Sequence, residues 1–209
     1  AKVTAKVALG LRLDEIKNPV TGGTWAAFEP ALDYVVVKVP RWPFDKFKQG
    51  DRRLGTQMKA TGEVMALDRT LEGALLKAIR SLEVGLTHPS APALEQLSRA
   101  ELAAALQEVR DDRLLLLFAA LRRGFSVAEL AGATGIDPFF LGKLENIVLL
   151  ERELAAGLTP ERLARAKRLG FSDAAIARLS GVPPAAVRRL RAEQRLAPAY
   201  KMVDTCAAE

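Results

Sequence analysis

Two stretches, Gly124 to Leu144 (GFSVAELAGATGIDPFFLGKL) and Gly170 to Leu190 (GFSDAAIARLSGVPPAAVRRL), read in parallel, decide what kind of fold this chain can adopt. A shift of 46 residues lays one on the other. It pairs Gly124-Phe125-Ser126 with Gly170-Phe171-Ser172, Leu130-Ala131 with Ile176-Ala177, and Gly135-Ile136 with Gly181-Val182. Pro138 then meets Pro184, Leu141 meets Val187, and Leu144 meets Leu190. Each copy spells a helix, a short helix, a Gly-centred turn and another helix. Units of this kind bury their apolar faces on one another, so the repeat predicts a compact helical domain.

Helical signals surround the repeat on both sides, from the polar, Pro-containing run at 87–92 onward. Ser98 with Glu101 forms a capping box that opens Ala100–Val109. Asp111-Asp112 opens Arg113–Arg123, which Gly124 stops. Ser126–Ala133, Asp137–Ala156, Pro160–Leu169, Ser172–Leu179 and Pro183–Leu196 follow, each with a cap or a closing glycine. Ala197–Glu209 loses the helical period and is predicted to run extended. Before residue 86, strand and helix signals alternate. Val3, Val7 and Leu11 form a stripe that predicts an amphipathic helix over Ala1–Leu11, and Leu13–Ile16 reads as a further helical turn. Thr21–Thr24 reads as a turn or mobile loop. Tyr34–Val39 is β-branched and ends at Pro40, which predicts a strand, and Glu63–Leu67 predicts a second. Thr70–Leu86 predicts a helix with Thr70 as its N-cap. The fold class is therefore α+β, then all-α.

With 49% hydrophobic and 27% charged residues in a chain of 209, the composition is that of a globular protein with room for one substantial core or two small ones. The longest apolar runs, such as Leu114 to Ala120, fall far short of the ~20 residues a membrane helix needs, so no membrane partner is expected. Ala1-Lys2-Val3-Thr4-Ala5-Lys6 has neither a secretory h-region nor a starting Met. Together with the ending at Cys206-Ala207-Ala208-Glu209, this reads as a piece of a longer polypeptide. Cys206 stands alone, which fits a reducing, cytoplasmic setting, and nothing beside it marks a reactive thiol. His88, the other metal-binding type, reads as a solvated linker residue.

The net charge of +6 invites a nucleic-acid reading, but the excess is thin: 14 Lys/Arg against 10 Asp/Glu in residues 1–85, and 17 against 15 in residues 86–209. The local exception is residues 160–201, with 10 against 3. There Ala177, Gly181 and Val187 fall where a helix-turn-helix needs a small residue, a turn glycine and a packed aliphatic. Arg188, Arg189, Arg191 and Arg195 follow on the next helix. The first copy, residues 114–157, holds 4 against 5 and would be repelled by DNA. The preferred reading is helical hairpins used for packing and protein contacts, with no nucleic-acid partner expected, and the alternative is a tandem helix-turn-helix DNA binder using residues 160–196.

No Walker loop, Ser-His-Asp set or metal-spaced carboxylate pair is present, so no catalytic, cofactor-binding or metal residue is assigned. Glu63, between Gly62 and Val64 on a predicted strand, is the acidic residue singled out in the first part. A carboxylate there is costly to bury without a partner. Its structural reading is a pair with an arginine across a domain seam, and a functional reading needs a polar cavity beside it.

Several segments together resemble the large subunit of carbamoyl-phosphate synthetase. They are Ala1-Lys2-Val3-Thr4-Ala5-Lys6-Val7-Ala8-Leu9-Gly10, Leu13-Asp14-Glu15-Ile16, Thr21-Gly22-Gly23, Phe28-Glu29-Pro30, Asp33-Tyr34-Val35-Val36, Pro40-Arg41 and Thr61-Gly62-Glu63-Val64-Met65. The resemblance continues through Ser81-Leu82-Glu83-Val84-Gly85 and returns at Tyr200-Lys201 and Val203-Asp204-Thr205-Cys206-Ala207-Ala208-Glu209. It implies that residues 1–85 are the end of the carboxyphosphate-forming ATP-grasp domain. It further implies a helical oligomerisation domain over 86–199 and a connector toward the second synthetase half over 200–209. The family makes carbamoyl phosphate from bicarbonate, glutamine-derived ammonia and two ATP, for pyrimidine and arginine biosynthesis. The implied partners are a glutaminase small subunit, the rest of the large subunit, and further copies through the helical domain. ATP with Mg²⁺ or Mn²⁺ belongs to the intact enzyme. The family's ligands for them lie upstream of Ala1, so no cofactor is expected on this chain and the piece alone is expected to be inactive. Glu63 occupies the family position at the passage through which carbamate moves between active sites, which makes it a candidate tunnel-wall residue.

Overall fold

A computed structural model describes residues 1–29 and 32–203, in two compact units, Ala1–Asp33 with Pro198–Glu209 and Tyr34–Ala197. In the first unit, helix α1 (Lys2–Ala8) buries none of its residues. It is shorter than the apolar stripe predicts, because Gly10 turns to φ +95 and ends the right-handed path before Leu11. The predicted turn after it is a short 3-10 helix, Leu13–Glu15. Residues 17–25 close into a loop through a Lys17–Trp25 bridge, with the Lys17 ammonium 4.5 Å from the centre of the Trp25 ring. Residues 197–203 carry no helix or strand, and the rest of the predicted extended tail, including Cys206, lies outside the described residues.

The second unit begins with strands β1 (Val35–Arg41) and β2 (Gly62–Asp68), paired antiparallel with Val37 opposite Ala66 and Val39 opposite Val64. Pro40 does not end β1 as the sequence predicts. Both strands of a two-stranded sheet are edge strands, where a proline is tolerated. Helix α2 (Leu71–Ser81) packs on both strands, and Thr70 Oγ1 caps it by accepting from the Gly73 amide at 3.1 Å. It stops well before Leu86, because Glu83 and Gly85 take left-handed φ values of 54° and 78°.

The predicted linker at 87–92 runs into a short helix, α3 (Pro92–Glu95). Helix α4 (Arg99–Leu106) opens on the Ser98–Glu101 capping box and ends before Val109, where the chain turns to pair with residues 53 and 54. Then come the two repeat copies: α5 (Arg113–Arg122), α6 (Val127–Thr134) and α7 (Pro138–Ala155), followed by α8 (Pro160–Arg168), α9 (Asp173–Ser180) and α10 (Pro184–Glu193). Gly135 and Gly181 both adopt φ 70° at the end of the short helix, and Leu141 and Val187 are both fully buried. One hydrophobic core runs from Leu75 on α2 to Val187 on α10, around Phe118, Ile147 and Phe171. Burying each such side chain stabilises the fold by about 1.5–3 kcal/mol.

Candidate functional site

The connection between the two strands, residues 42–61, is long and polar, and Arg52 pins it. Its Nε and Nη2 donate to the two carboxylate oxygens of Asp111 at 2.7 and 2.8 Å, and Nη2 also reaches Asp112 at 3.0 Å. The Leu54 amide donates to the Val109 carbonyl at 2.7 Å beside it. The hydrogen bond to Asp111 raises the Arg52 pKa against a smaller opposing effect of burial. Asp111-Asp112 therefore does not act as the predicted side-chain cap of α5. Asp112 occupies the N-cap position without a capping bond, because Arg52 and Arg110 draw its carboxylate sideways.

His88 overturns the linker reading outright. It is 3% exposed, and its Nε2 lies 2.6 Å from Glu151 Oε1, itself on a buried residue of α7. Arg122 on α5 donates from Nε and Nη2 to the two oxygens of Glu151, both at 2.7 Å, and from Nη2 to the Pro89 carbonyl. Arg122 Nη1 also pairs with Glu95 on α3. The His88 ring packs against Phe171 with centroids 5.0 Å apart. Burial pushes the Glu151 carboxyl up, but the hydrogen bonds from Arg122 and His88 outweigh it and bring the pKa down to about 2. Burial holds the His88 pKa below its ordinary value despite Glu151. The network ties residues 88–95 to both α5 and α7. Its members lie far apart in sequence, so the pattern conceals them. The available signal was Glu151 itself, an acid one turn after Ile147 on the apolar face of α7.

Glu63 stands near the start of β2 with its side chain 58% exposed. Its partner is Lys38 Nζ on the neighbouring strand, at 2.9 Å, rather than an arginine across a seam. Both ends of the pair face water, so it contributes little to stability. Val36 and Met65 lie exposed on the same hairpin.

The arginines of α10 divide in role. Arg191 pairs with Asp173 at 2.9 Å, and Asp173 also takes Lys167 at 2.8 Å, so this part of the basic run is spent on holding α8, α9 and α10 together. Arg188 and Arg189 on α10, and Arg195 just beyond its end, are exposed. In the first copy Gly142 and Lys143 stand at the positions of Arg188 and Arg189, and an apolar pair is exposed one turn earlier, where the second copy has Ala185 and Ala186. Phe139 and Phe140 at the start of α7 are 59% and 49% exposed and stack edge to face at 5.3 Å. Lys143 lies over the Phe139 ring.

Among the described residues, no group of three or more His, Cys, Asp and Glu could hold a metal ion. No helix among them is long and apolar enough to cross a membrane. Comparison with known families gives a match to the oligomerisation domain of the carbamoyl-phosphate synthetase large chain over residues 63–195. The matched span takes in β2, α2, the buried His88–Glu151–Arg122 network and both repeat copies. The chain belongs to the family of carbamoyl-phosphate synthetase large chains and carries that family's oligomerisation domain.

Proposed function

We propose that this chain serves as an assembly and inter-domain part of a carbamoyl-phosphate synthetase large subunit. The observation that carries the reading is the family match over residues 63–195, centred on the helical repeat. In this reading residues 1–85 close the carboxyphosphate-forming ATP-grasp unit, 86–199 associate with further copies, and 200–209 lead toward the second synthetase half. The intact cytoplasmic enzyme is an ATP-dependent carbon-nitrogen ligase. It uses bicarbonate, ammonia from a glutaminase subunit and two ATP, with Mg²⁺ or Mn²⁺, to make carbamoyl phosphate. None of the residues described here is assigned to the nucleotide or the metal.

Self-association needs an apolar contact surface, and the stacked Phe139–Phe140 pair supplies one on a rigid helix. Sedimentation equilibrium of the 209-residue chain is expected to give a mass that rises with concentration. The double substitution Phe139→Ser and Phe140→Ser is expected to hold it monomeric with an unchanged helical signal. A parent chain that stays monomeric at all concentrations would sink the reading. Arg188, Arg189 and Arg195 favour the DNA-binding alternative, whereas the family match favours assembly.

Glu63 is proposed as a tunnel-wall residue that steers an anionic intermediate by charge and hydrogen bonding, without making bonds. Its carboxylate is exposed and is paired on the surface of the hairpin with Lys38. In the intact enzyme, Glu63→Ala is expected to uncouple ATP hydrolysis at the first site from carbamoyl phosphate formation. Coupling that stays normal in that variant would remove Glu63 from the passage.

A further inference from the structure

A cleft of about 520 Å³ opens between β1, α2 and the segment leading into α5. Its floor is aliphatic, built from Val37 and Val39 on β1, Leu75 and Ile79 on α2, and Leu86 and Leu114. Five cationic residues line it, Lys38, Arg41, Arg52, Arg110 and Arg113, against two carboxylates, Asp111 and Asp112. An adjoining polar recess shares Arg41, Arg52 and Asp111 with it and is bordered by Glu83, whose φ of 54° is strained for a residue with a side chain.

The decisive detail is where hydrogen bonding fails. Among the described residues, the buried side-chain polar atoms without a partner are Arg110 Nε, Asp112 Oδ1 and Arg113 Nε, and all three belong to residues lining this cleft. Buried donors without acceptors are rare in folded proteins and call for an explanation. Arg52 is held by Asp111 and Asp112, and Arg110 leans on the same Asp112 oxygen at 3.4 Å. Arg113 forms no ion pair among the described residues and donates from Nη2 to the Thr134 carbonyl at 2.8 Å. One end of an aliphatic cleft thus carries two guanidinium groups, each bonded through Nη2 but with an Nε–H that has no partner among the described residues.

We propose that this cleft binds an amphipathic monocarboxylate, with its aliphatic chain on the Val37–Ile79–Leu114 floor and its carboxylate at Arg110 and Arg113. The volume lies within the range of small-molecule sites, which are mostly apolar with a few convergent polar groups. A planar carboxylate suits the guanidinium fork. Among the described residues Lys38 pairs with Glu63, Arg41 with Asp45, and Arg52 and Arg110 with Asp111 and Asp112, which leaves Arg113 as the lining cation with no ion pair. The unpartnered Asp112 oxygen does not oppose an anion strongly, because Arg52 and Arg110 already compensate its charge through the other oxygen. This inference is independent of the assembly role, since self-association requires no ligand.

The test is calorimetric titration of the full 209-residue chain with octanoate, and in parallel with octanol, which has the same chain without the charge. One octanoate per chain is expected to bind saturably, about tenfold more tightly than octanol, a gap of about 1.4 kcal/mol. Arg113→Gln is expected to remove that preference while leaving octanol binding unchanged. Val109→Trp, at the half-exposed rim, is expected to fill the cleft and abolish binding of both while the thermal melt stays the same. The absence of saturable octanoate binding at millimolar concentration overturns the proposal, whether the cleft is empty or covered by another segment or copy. Equal affinity for octanol overturns the carboxylate end. Binding that survives Val109→Trp places the ligand elsewhere and overturns the site.

Discussion

The two repeat copies share a skeleton and differ in what they show to solvent. Gly124 and Gly170 have the same φ of 86°. Phe125 and Phe171 fold back over equivalent turns, their amides bonded to the Ala120 and Ala166 carbonyls at 3.1 and 2.9 Å. Ser126 and Ser172 cap the short helix in each. Yet the third helix of the first copy is 18 residues long and ends in the buried Glu151 network, while that of the second has 10 residues and an arginine surface. The shared positions are those that face the core, where volume and turn geometry leave few choices. Outside the core the copies are free to diverge, and that is where the exposed Phe139–Phe140 pair of the first and the exposed arginines of the second lie.

The sharpest way to break the equivalence is at the two glycines. Gly124 and Gly170 need the same left-handed backbone, but a side chain on Gly124 would point into open space. On Gly170 it would meet the Gly73 backbone of α2 at 2.8 Å. Gly124→Ala is therefore expected to cost only the backbone strain, roughly 1–2 kcal/mol. Gly170→Ala adds a clash between two main chains, for a total of roughly 3–5 kcal/mol. Urea unfolding of both variants measures the gap, and equal midpoints would show that the copies carry the same load.

The next difference is Glu151, which has no acidic counterpart in the second copy, where the equivalent position is Ala197. Glu151→Gln leaves Arg122 buried with only Glu95 for charge compensation and should destabilise the chain by about 3 kcal/mol near neutral pH. The same group sets the acid response. Glu151 falls from 4.5 in the free chain to about 2 when folded, so its stabilisation is complete above pH 4.5 and is lost as the pH falls toward 2. His88 is lowered from 6.5, so the unfolded chain takes up its proton first, and acid also weakens the fold from about pH 6.5 downward. Melting temperatures between pH 7 and pH 3 are expected to fall in the parent and to fall less in Glu151→Gln. Parallel curves would mean that other groups govern acid unfolding.

What the sequence displayed, and what it hid, follows the same division. The strands at Val35–Arg41 and Gly62–Asp68, the caps at Thr70, Ser98, Ser126 and Ser172 and the repeat turns were all legible, because each is decided by residues within a few positions of one another. Helix ends were less so. Helix α4 stops at Leu106 because the next residues turn to pair with Arg53 and Leu54, more than fifty positions earlier. His88 was misread for the same reason: a polar, Pro-containing run resembles a solvated linker until Glu151 and Arg122 arrive from helices elsewhere in the chain. The cleft at Arg110 and Arg113 is likewise assembled from four separate segments, with no spacing in the sequence to announce it.

The finest distinction between the copies lies in their caps. Ser126 belongs to a full capping box: its hydroxyl accepts from the Glu129 amide, and Glu129 reaches back to the Ser126 amide at 2.7 Å. Ser172 accepts from the Ala175 amide alone, since alanine stands where the box needs an acid. Each serine should be worth about 1 kcal/mol when replaced by alanine. The losses differ in what remains. Ser126→Ala leaves the Glu129 bond to the backbone in place, so half of the box survives and the helix start stays anchored. Ser172→Ala leaves the first turn of α9 only the favourable charge of Asp173, and that charge is already shared between Lys167 and Arg191. Ser172→Ala is therefore expected to be the more damaging of the two by a few tenths of a kcal/mol, with faster amide exchange confined to residues 173–176. A larger loss at Ser126 would show that Glu129 depends on the serine for its position, and that the box acts as one unit.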